Sequence, residues 1–231
     1  MAHWRISIAY DSPALSSFRE GWGFSAVISS DAGNILFDCG WDGNILQENL
    51  SRLGFAFSDM DLVVLSHYHW DHLTGLPVML ADPLKKRTLE VFVPYGFSKN
   101  LMKEINRKAI ALDVRSPQEI SPNVWATGPL GGDVPEQALV LKGKGGVAVL
   151  TGCGHPGLKA VLSAGSTLGV PRWLIGGLHD CTLSDLEGSL KENPFLRAVL
   201  CHCTRCKEEA SAARIDRVTI GAAGEIYEIE L

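Results

Sequence analysis

No stretch of the 231-residue sequence approaches the roughly 18 uninterrupted apolar residues of a membrane-spanning helix, which excludes a helical span. Positive charge is scarce. The 21 Lys and Arg face 26 Asp and Glu, and a net charge of −5 argues against a nucleic-acid or anionic-membrane partner. The small basic runs Lys85-Lys86-Arg87 and Lys103 to Lys108 read as solvated surface rather than a phosphate groove. No linker-like segment interrupts the alternation of short β-like and helical runs, so one domain over 1–231 is expected. Met1-Ala2-His3-Trp4-Arg5 lacks the charged-then-apolar order of a signal peptide. Without an export signal, the six cysteines read as thiols or ligands rather than a disulfide framework, and the expected compartment is the cytoplasm.

What is present is a dense run of metal-ligand side chains. Ser66-His67-Tyr68-His69-Trp70-Asp71-His72 directly follows the apolar run Asp61-Leu62-Val63-Val64-Leu65, which reads as a buried strand. The ligands therefore fall at a strand's carboxyl end, where an α/β sheet opens into a cleft. His67 and His69 are two apart, so in extended chain both rings point the same way. Asp71 and His72 follow where the chain must turn and can address a second position nearby. Imidazoles with a carboxylate suit zinc, and iron or manganese less specifically.

Other histidines occupy similar places. Thr151-Gly152-Cys153-Gly154-His155-Pro156 follows the apolar run Val147 to Leu150, making His155 the natural third partner of His67 and His69. His202, in Leu200-Cys201-His202-Cys203, is the corresponding partner for Asp71 and His72, and His179 ends a further strand. A zinc knuckle built on Cys201, Cys203 and Cys206 is not expected, because no second cysteine pair is nearby.

Strands are expected at Ile6 to Tyr10, Phe24 to Ser29, Asn34 to Asp38, Asp61 to Leu65 and Leu89 to Val93 in the first half. The second half adds Val124 to Thr127, Ala138 to Leu141, Val147 to Thr151, Trp173 to Gly176 and Arg197 to Cys201. Arg217 to Ile220 and Ile226 to Ile229 read as a terminal hairpin. Helical spacing marks Asn44 to Leu53, Thr74 to Leu80, Leu158 to Ser163 and Lys207 to Arg214. Mixed sheets with helices in both halves suggest two sheets packed face to face with helices outside.

The motifs LFDCG, SHYHWDHLTGL, TGCGHPG, GGLHD and HCTR, in that order, resemble the metallo-β-lactamase superfamily. Within it they are similar to the 7,8-dihydropterin-6-methyl-4-(β-D-ribofuranosyl)-aminobenzene-5′-phosphate synthase branch, whose motifs read LFDTG, SHGHYDHTGGL, TGCSHPG, GGFHL and HCTG. The resemblance runs from about Asp11 to His202. It implies an α/β fold, a four-layer αββα sandwich with two divalent metal ions between the sheets, held by His67, His69, Asp71, His72, His155 and His202. Asp38 would orient a ligand histidine. Cys153 stands where relatives place a metal-bridging aspartate, and both a bridging thiolate and a buried thiol remain open.

A histidine at position 69, rather than the glutamate usual in flavodiiron proteins, disfavours a redox di-iron centre. His72, rather than the arginine of many β-lactamases, points away from antibiotic hydrolysis. The resemblance implies a metal-dependent hydrolase of a small ester or phosphoester, phosphorylated or pterin-like. Asp71 would orient the attacking water, and His179 would donate to the leaving group. The alternatives are a phosphodiesterase or nuclease, or an iron-dependent oxidoreductase. Tyr68, Trp70, Asp180 and Arg205 depart from the branch's pattern and leave the substrate open.

Overall fold

The computed structural model describes residues 2–82 and 88–231, so the basic run Lys85-Lys86-Arg87 lies outside the described residues. In chain order the first half contains β1 (His3–Tyr10), β2 (Ser25–Ser30), β3 (Gly33–Phe37), α1 (Gly43–Arg52), β4 (Leu62–Val64), α2 (Trp70–Leu73), α3 (Leu76–Ala81), β5 (Glu90–Pro94), α4 (Lys99–Ile105) and β6 (Ile110–Val114). The second contains β7 (Gln118–Ser121), β8 (Val124–Ala126), β9 (Leu139–Gly143), β10 (Gly146–Thr151), α5 (Leu158–Ser166), β11 (Pro171–Gly176), α6 (Leu183–Glu192), β12 (Arg197–Leu200), α7 (Lys207–Ala213), β13 (Val218–Ile220) and β14 (Ile226–Glu230).

These strands form two seven-stranded sheets, ordered β14-β1-β2-β3-β4-β5-β6 and β13-β12-β11-β10-β9-β8-β7. Each sheet is antiparallel at one side and parallel at the other. β3, β4, β5 and β6 run parallel in the first, and β10, β11, β12 and β13 in the second. Parallel neighbours need crossovers, and these are the helical segments α1, α2–α3 and α4 in one half and α5, α6 and α7 in the other.

The side-chain alternation of the strands explains the layers. Ala26, Ile28, Ile35 and Phe37 meet Leu139, Leu141, Ala148 and Leu150 in a cluster between the sheets. The alternate residues Val27, Leu36, Val63 and Val91 pack outward against Leu46 and Leu50 of α1 and Met79 of α3. Val140, Val147, Val149 and Leu174 do the same against Val161 and Leu162 of α5 and Leu186 and Leu190 of α6. The central strands are thus buried on both faces, as helix-covered parallel sheets require. Each fully buried aliphatic side chain contributes about 1.5–3 kcal/mol to holding the four layers. The architecture is the α/β, helix–sheet–sheet–helix sandwich.

Helix ends follow local chemistry. Asp42 accepts the Asn44 N–H at 2.8 Å to cap α1, and Thr182 with Asp185 forms a reciprocal cap on α6.

The expected terminal hairpin does not form. β13 pairs in parallel with β12, Ala198 opposite Val218, whereas β14 pairs antiparallel with β1, Ile6 opposite Tyr227. The intervening segment crosses between the sheets, with Gly221 N–H donating to Leu200 O and Gly224 N–H to Ile8 O. Five elements were not expected from the sequence: α2, α4, β6, β7 and α6. In α4 only Ile105 is buried, and the Lys103 to Lys108 segment is largely solvated, so the apolar stripe is thin.

Candidate metal centre

The carboxyl ends of β3, β4, β10, β11 and β12 converge, and every candidate residue leaves one of them. His67 and His69 follow β4, and Asp71 and His72 lie in the one-turn helix α2 that begins directly after His69. Cys153 and His155 follow β10, His179 follows β11, and His202 and Cys203 follow β12. Parallel strands aim their carboxyl ends the same way, which is why residues over a hundred positions apart meet.

The ligand atoms fall into overlapping groups, each within 4.8 Å. One is His67, His69 and His155; another is Asp71, His72 and His202. His67, His72 and Cys153 form a third, and Cys153, His202 and Cys203 a fourth. The donor set fits divalent cations. The observation that tests this fit is His67 Nε2, which is buried and has no hydrogen-bond partner among the described residues. A buried polar atom left unpaired is costly, and a lone pair aimed at a cation removes that cost.

The ligand side chains are held from behind. Asp38, fully buried, accepts the Ser66 N–H at 2.6 Å and the Ser66 hydroxyl at 2.7 Å, and its Oδ2 lies 2.7 Å from His72 Nδ1. His72 then donates through Nδ1 and turns Nε2 toward the centre. Asp38 itself takes a positive φ of 59°, uncommon for a residue with a Cβ. Ser66 Oγ lies 2.9 Å from His67 Nδ1, so one serine links the carboxylate to a second imidazole. His202 Nε2 is 2.8 Å from Asp71 Oδ2, and His155 Nε2 is 3.2 Å from His69 Nδ1.

Electrostatics match the crowding. Burial, reinforced by the neighbouring imidazoles, drives His67 far below the usual histidine range. Burial and then His179 pull His155 down to about 4. Both are thus neutral ligands near pH 7. Burial pushes Asp71 up, but the hydrogen bond from His202 and the His72 charge outweigh it and hold the group at about 2. Burial likewise lowers His72, yet the Asp38 charge and hydrogen bond reverse the sign and raise it.

Two further residues build the site and were not expected from the sequence. Glu136, buried, accepts from Thr151 Oγ1, Gly152 N, Cys153 N and Gly154 N through one oxygen at 2.9–3.0 Å, and from His155 N at 2.8 Å through the other. The next residue, Gln137, holds the other ligand loop: its Nε2 donates to Leu65 O at 2.8 Å and its backbone N–H to Ser66 O. A two-residue segment thus ties both ligand loops together. Gly152 is required at their contact, since a Cβ there would collide with Ser66 Oγ and the Asp38 carboxylate.

Cys153 Sγ lies 3.0 Å from His72 Nε2 and 3.0 Å from Cys203 Sγ. Hydrogen bonding between the two sulfurs raises Cys153 and lowers Cys203. His179 is exposed on the rim, its ring centroid 4.6 Å from that of His155. Trp22, Trp41, Tyr68 and Trp70 are exposed, Tyr68 and Trp70 flank His69 in the chain, and Trp22 meets the His202 ring edge-on at 4.5 Å.

Fold and site together define a metallo-β-lactamase-fold protein. Residues 33–131 match the model of the beta-lactamase superfamily domain. It is similar to uncharacterized protein MJ0448 of Methanocaldococcus jannaschii, 26% identical over 261 residues that cover 97% of this chain and 100% of that protein. A shorter region is 33% identical to ribonuclease Z of Clostridium kluyveri over 79 residues, covering 33% of this chain and only 25% of that enzyme. In three dimensions the chain matches Tm1679, a metal-dependent hydrolase of the beta-lactamase superfamily, with TM-score 0.79, 24% identity and coverage of 98% of this chain and 99% of that one. These relatives lend no support to the dihydropterin branch. No described helix is long and apolar enough to cross a membrane.

Proposed function

We propose that this chain is a metal-dependent hydrolase that acts on a phosphoester of a small molecule. The observation that carries the reading is His67, whose Nε2 is buried without a hydrogen-bond partner among the described residues, and which is shared by the group with His69 and His155 and the group with His72 and Cys153. His67, His69 and His155 would hold one divalent cation, and Asp71, His72 and His202 the other. Zinc suits this donor set, with iron and manganese fitting less specifically. When bound, the cations supply a water acidified toward neutrality and draw charge from the attacked phosphoryl oxygen.

The chain's own groups do the rest. Asp38 fixes the proton of His72 on Nδ1, keeping Nε2 free as a donor of electrons. Asp71, held ionised well below neutral pH, orients the attacking water by accepting its hydrogen bond. His179, on the rim beside His155, is positioned to give a proton to the departing oxygen. The exposed tryptophans offer flat apolar surface for the substrate's body, which the scarcity of positive charge also favours over a long polyanion.

Likeness to ribonuclease Z favours a second reading, an RNA phosphodiesterase. A panel of p-nitrophenyl phosphomonoester, bis-p-nitrophenyl phosphodiester, lactone, thioester and a structured RNA separates the two. Turnover of a small phosphoester without RNA cleavage supports the first. RNA cleavage alone transfers the assignment to the second, and hydrolysis of only lactone or thioester removes both.

A further inference from the structure

Cys153 belongs to two ligand groups at once, one with His67 and His72 and one with His202 and Cys203. We infer that Cys153 and Cys203 together supply a sulfur half to the second metal position, making the centre chemically unequal: imidazole at one position, thiolate-rich at the other. The inference rests on the metal-dependent reading above and adds to it which ion the second position prefers.

Three observations carry it. The two sulfurs lie 3.0 Å apart, and Cys153 Sγ is also 3.0 Å from His72 Nε2, so both thiols sit among the ligand atoms rather than behind them. Cys153 is held there by its backbone, its N–H donating to Glu136 and its carbonyl accepting from His179 N–H. Cys203 reaches the site only through a left-handed backbone, φ 52°, which costs a residue bearing a Cβ on the order of 1 kcal/mol. The remaining cysteines, Cys39, Cys181, Cys201 and Cys206, join no ligand group among the described residues. Thiolates select zinc, cadmium and cobalt(II) over manganese(II) and magnesium, so the second position would reject hard ions that an all-oxygen and nitrogen site accepts.

Cobalt(II) titration of the metal-free, reduced full-length protein tests this, read by absorption and by bound-metal count. The expected result is two bound equivalents, with a near-ultraviolet sulfur-to-cobalt charge-transfer band growing with the second. Cys203→Ser should weaken that band and loosen the second equivalent at least about tenfold. Cys153→Asp should keep two equivalents, lose most of the band and bind manganese(II) more tightly than the wild-type chain. Cys181→Ser should match wild type, and circular dichroism of each metal-free variant checks folding. Two equivalents without any sulfur band overturn the inference while leaving the metal-centre reading intact. Failure to bind cobalt at all removes both.

Discussion

The backbone N–H of Cys153 donates to Glu136 Oε1 at 2.9 Å, and that single oxygen also takes the N–H groups of Gly152 and Gly154. One buried carboxylate therefore shapes the loop that carries Cys153 and His155. Replacing it with alanine leaves several buried donors unpaired. Glu136→Ala should lose roughly 3 kcal/mol or more, a fall in Tm on the order of 10 °C in a chain of this size. Thermal unfolding with and without zinc checks this, and an unchanged Tm contradicts it.

Asp38 governs His72 in the same indirect manner. Asp38→Asn turns an acceptor facing Nδ1 into a possible donor, which lets His72 present the wrong nitrogen to the centre. Affinity for the second metal equivalent should fall about 10- to 100-fold while the first is retained. Calorimetric titration of the metal-free protein reads both steps separately. Equal loss of both equivalents would mean that Asp38 supports the whole loop rather than one imidazole.

Asp11, buried behind His202, carries a pH signature. Burial pushes its pKa up to about 7, against partial relief from Lys207. Between the ordinary carboxyl range and about 7 the folded chain keeps a proton that the unfolded chain releases, so folding is favoured at low pH and that contribution disappears as pH rises through 7. Asp11→Asn removes the ionisation. The variant's Tm relative to wild type should therefore rise between about pH 4 and pH 8. A gap that does not change with pH excludes the buried carboxyl as its source.

Trp22 and Trp70 test the substrate side of the centre. Both are well exposed, 63% and 68%, so truncation should change stability by no more than about 0.5 kcal/mol. If they support the substrate's body, Trp22→Ala and Trp70→Ala raise KM several-fold with kcat held near wild type. Loss of kcat alone would mean that Trp22 acts instead by fixing the His202 ring.

Much of this centre was legible because its signal is local. His67, His69, Asp71 and His72 are close in sequence, and His155 and His202 each directly follow an apolar run that reads as a strand. The layered fold was legible for a similar reason, since strand alternation and helical spacing are short-range patterns. Glu136 and Gln137 escaped notice because their partners are mostly backbone groups on other loops, which leave no mark in side-chain pattern. Cys203 carries no ligand signal in the sequence once a zinc knuckle is not expected, and its 3.0 Å approach to Cys153 is what makes it a candidate ligand. The terminal strands read as a hairpin in the sequence because each has an acceptable β-pattern and a glycine-flanked turn lies between them. Which sheet a strand joins depends on partners far along the chain, here Ala198 for one and Ile6 for the other.

The proposed hydrolase needs two metal positions, one on His67, His69 and His155 and one on Asp71, His72 and His202. Elemental analysis of protein loaded with zinc and freed of excess metal addresses this most directly, with His155→Ala and His202→Ala measured alongside. The account predicts two zinc ions per wild-type chain and one in each variant, lost from different positions. Two ions retained in both variants, or none bound by the wild-type chain, would contradict it.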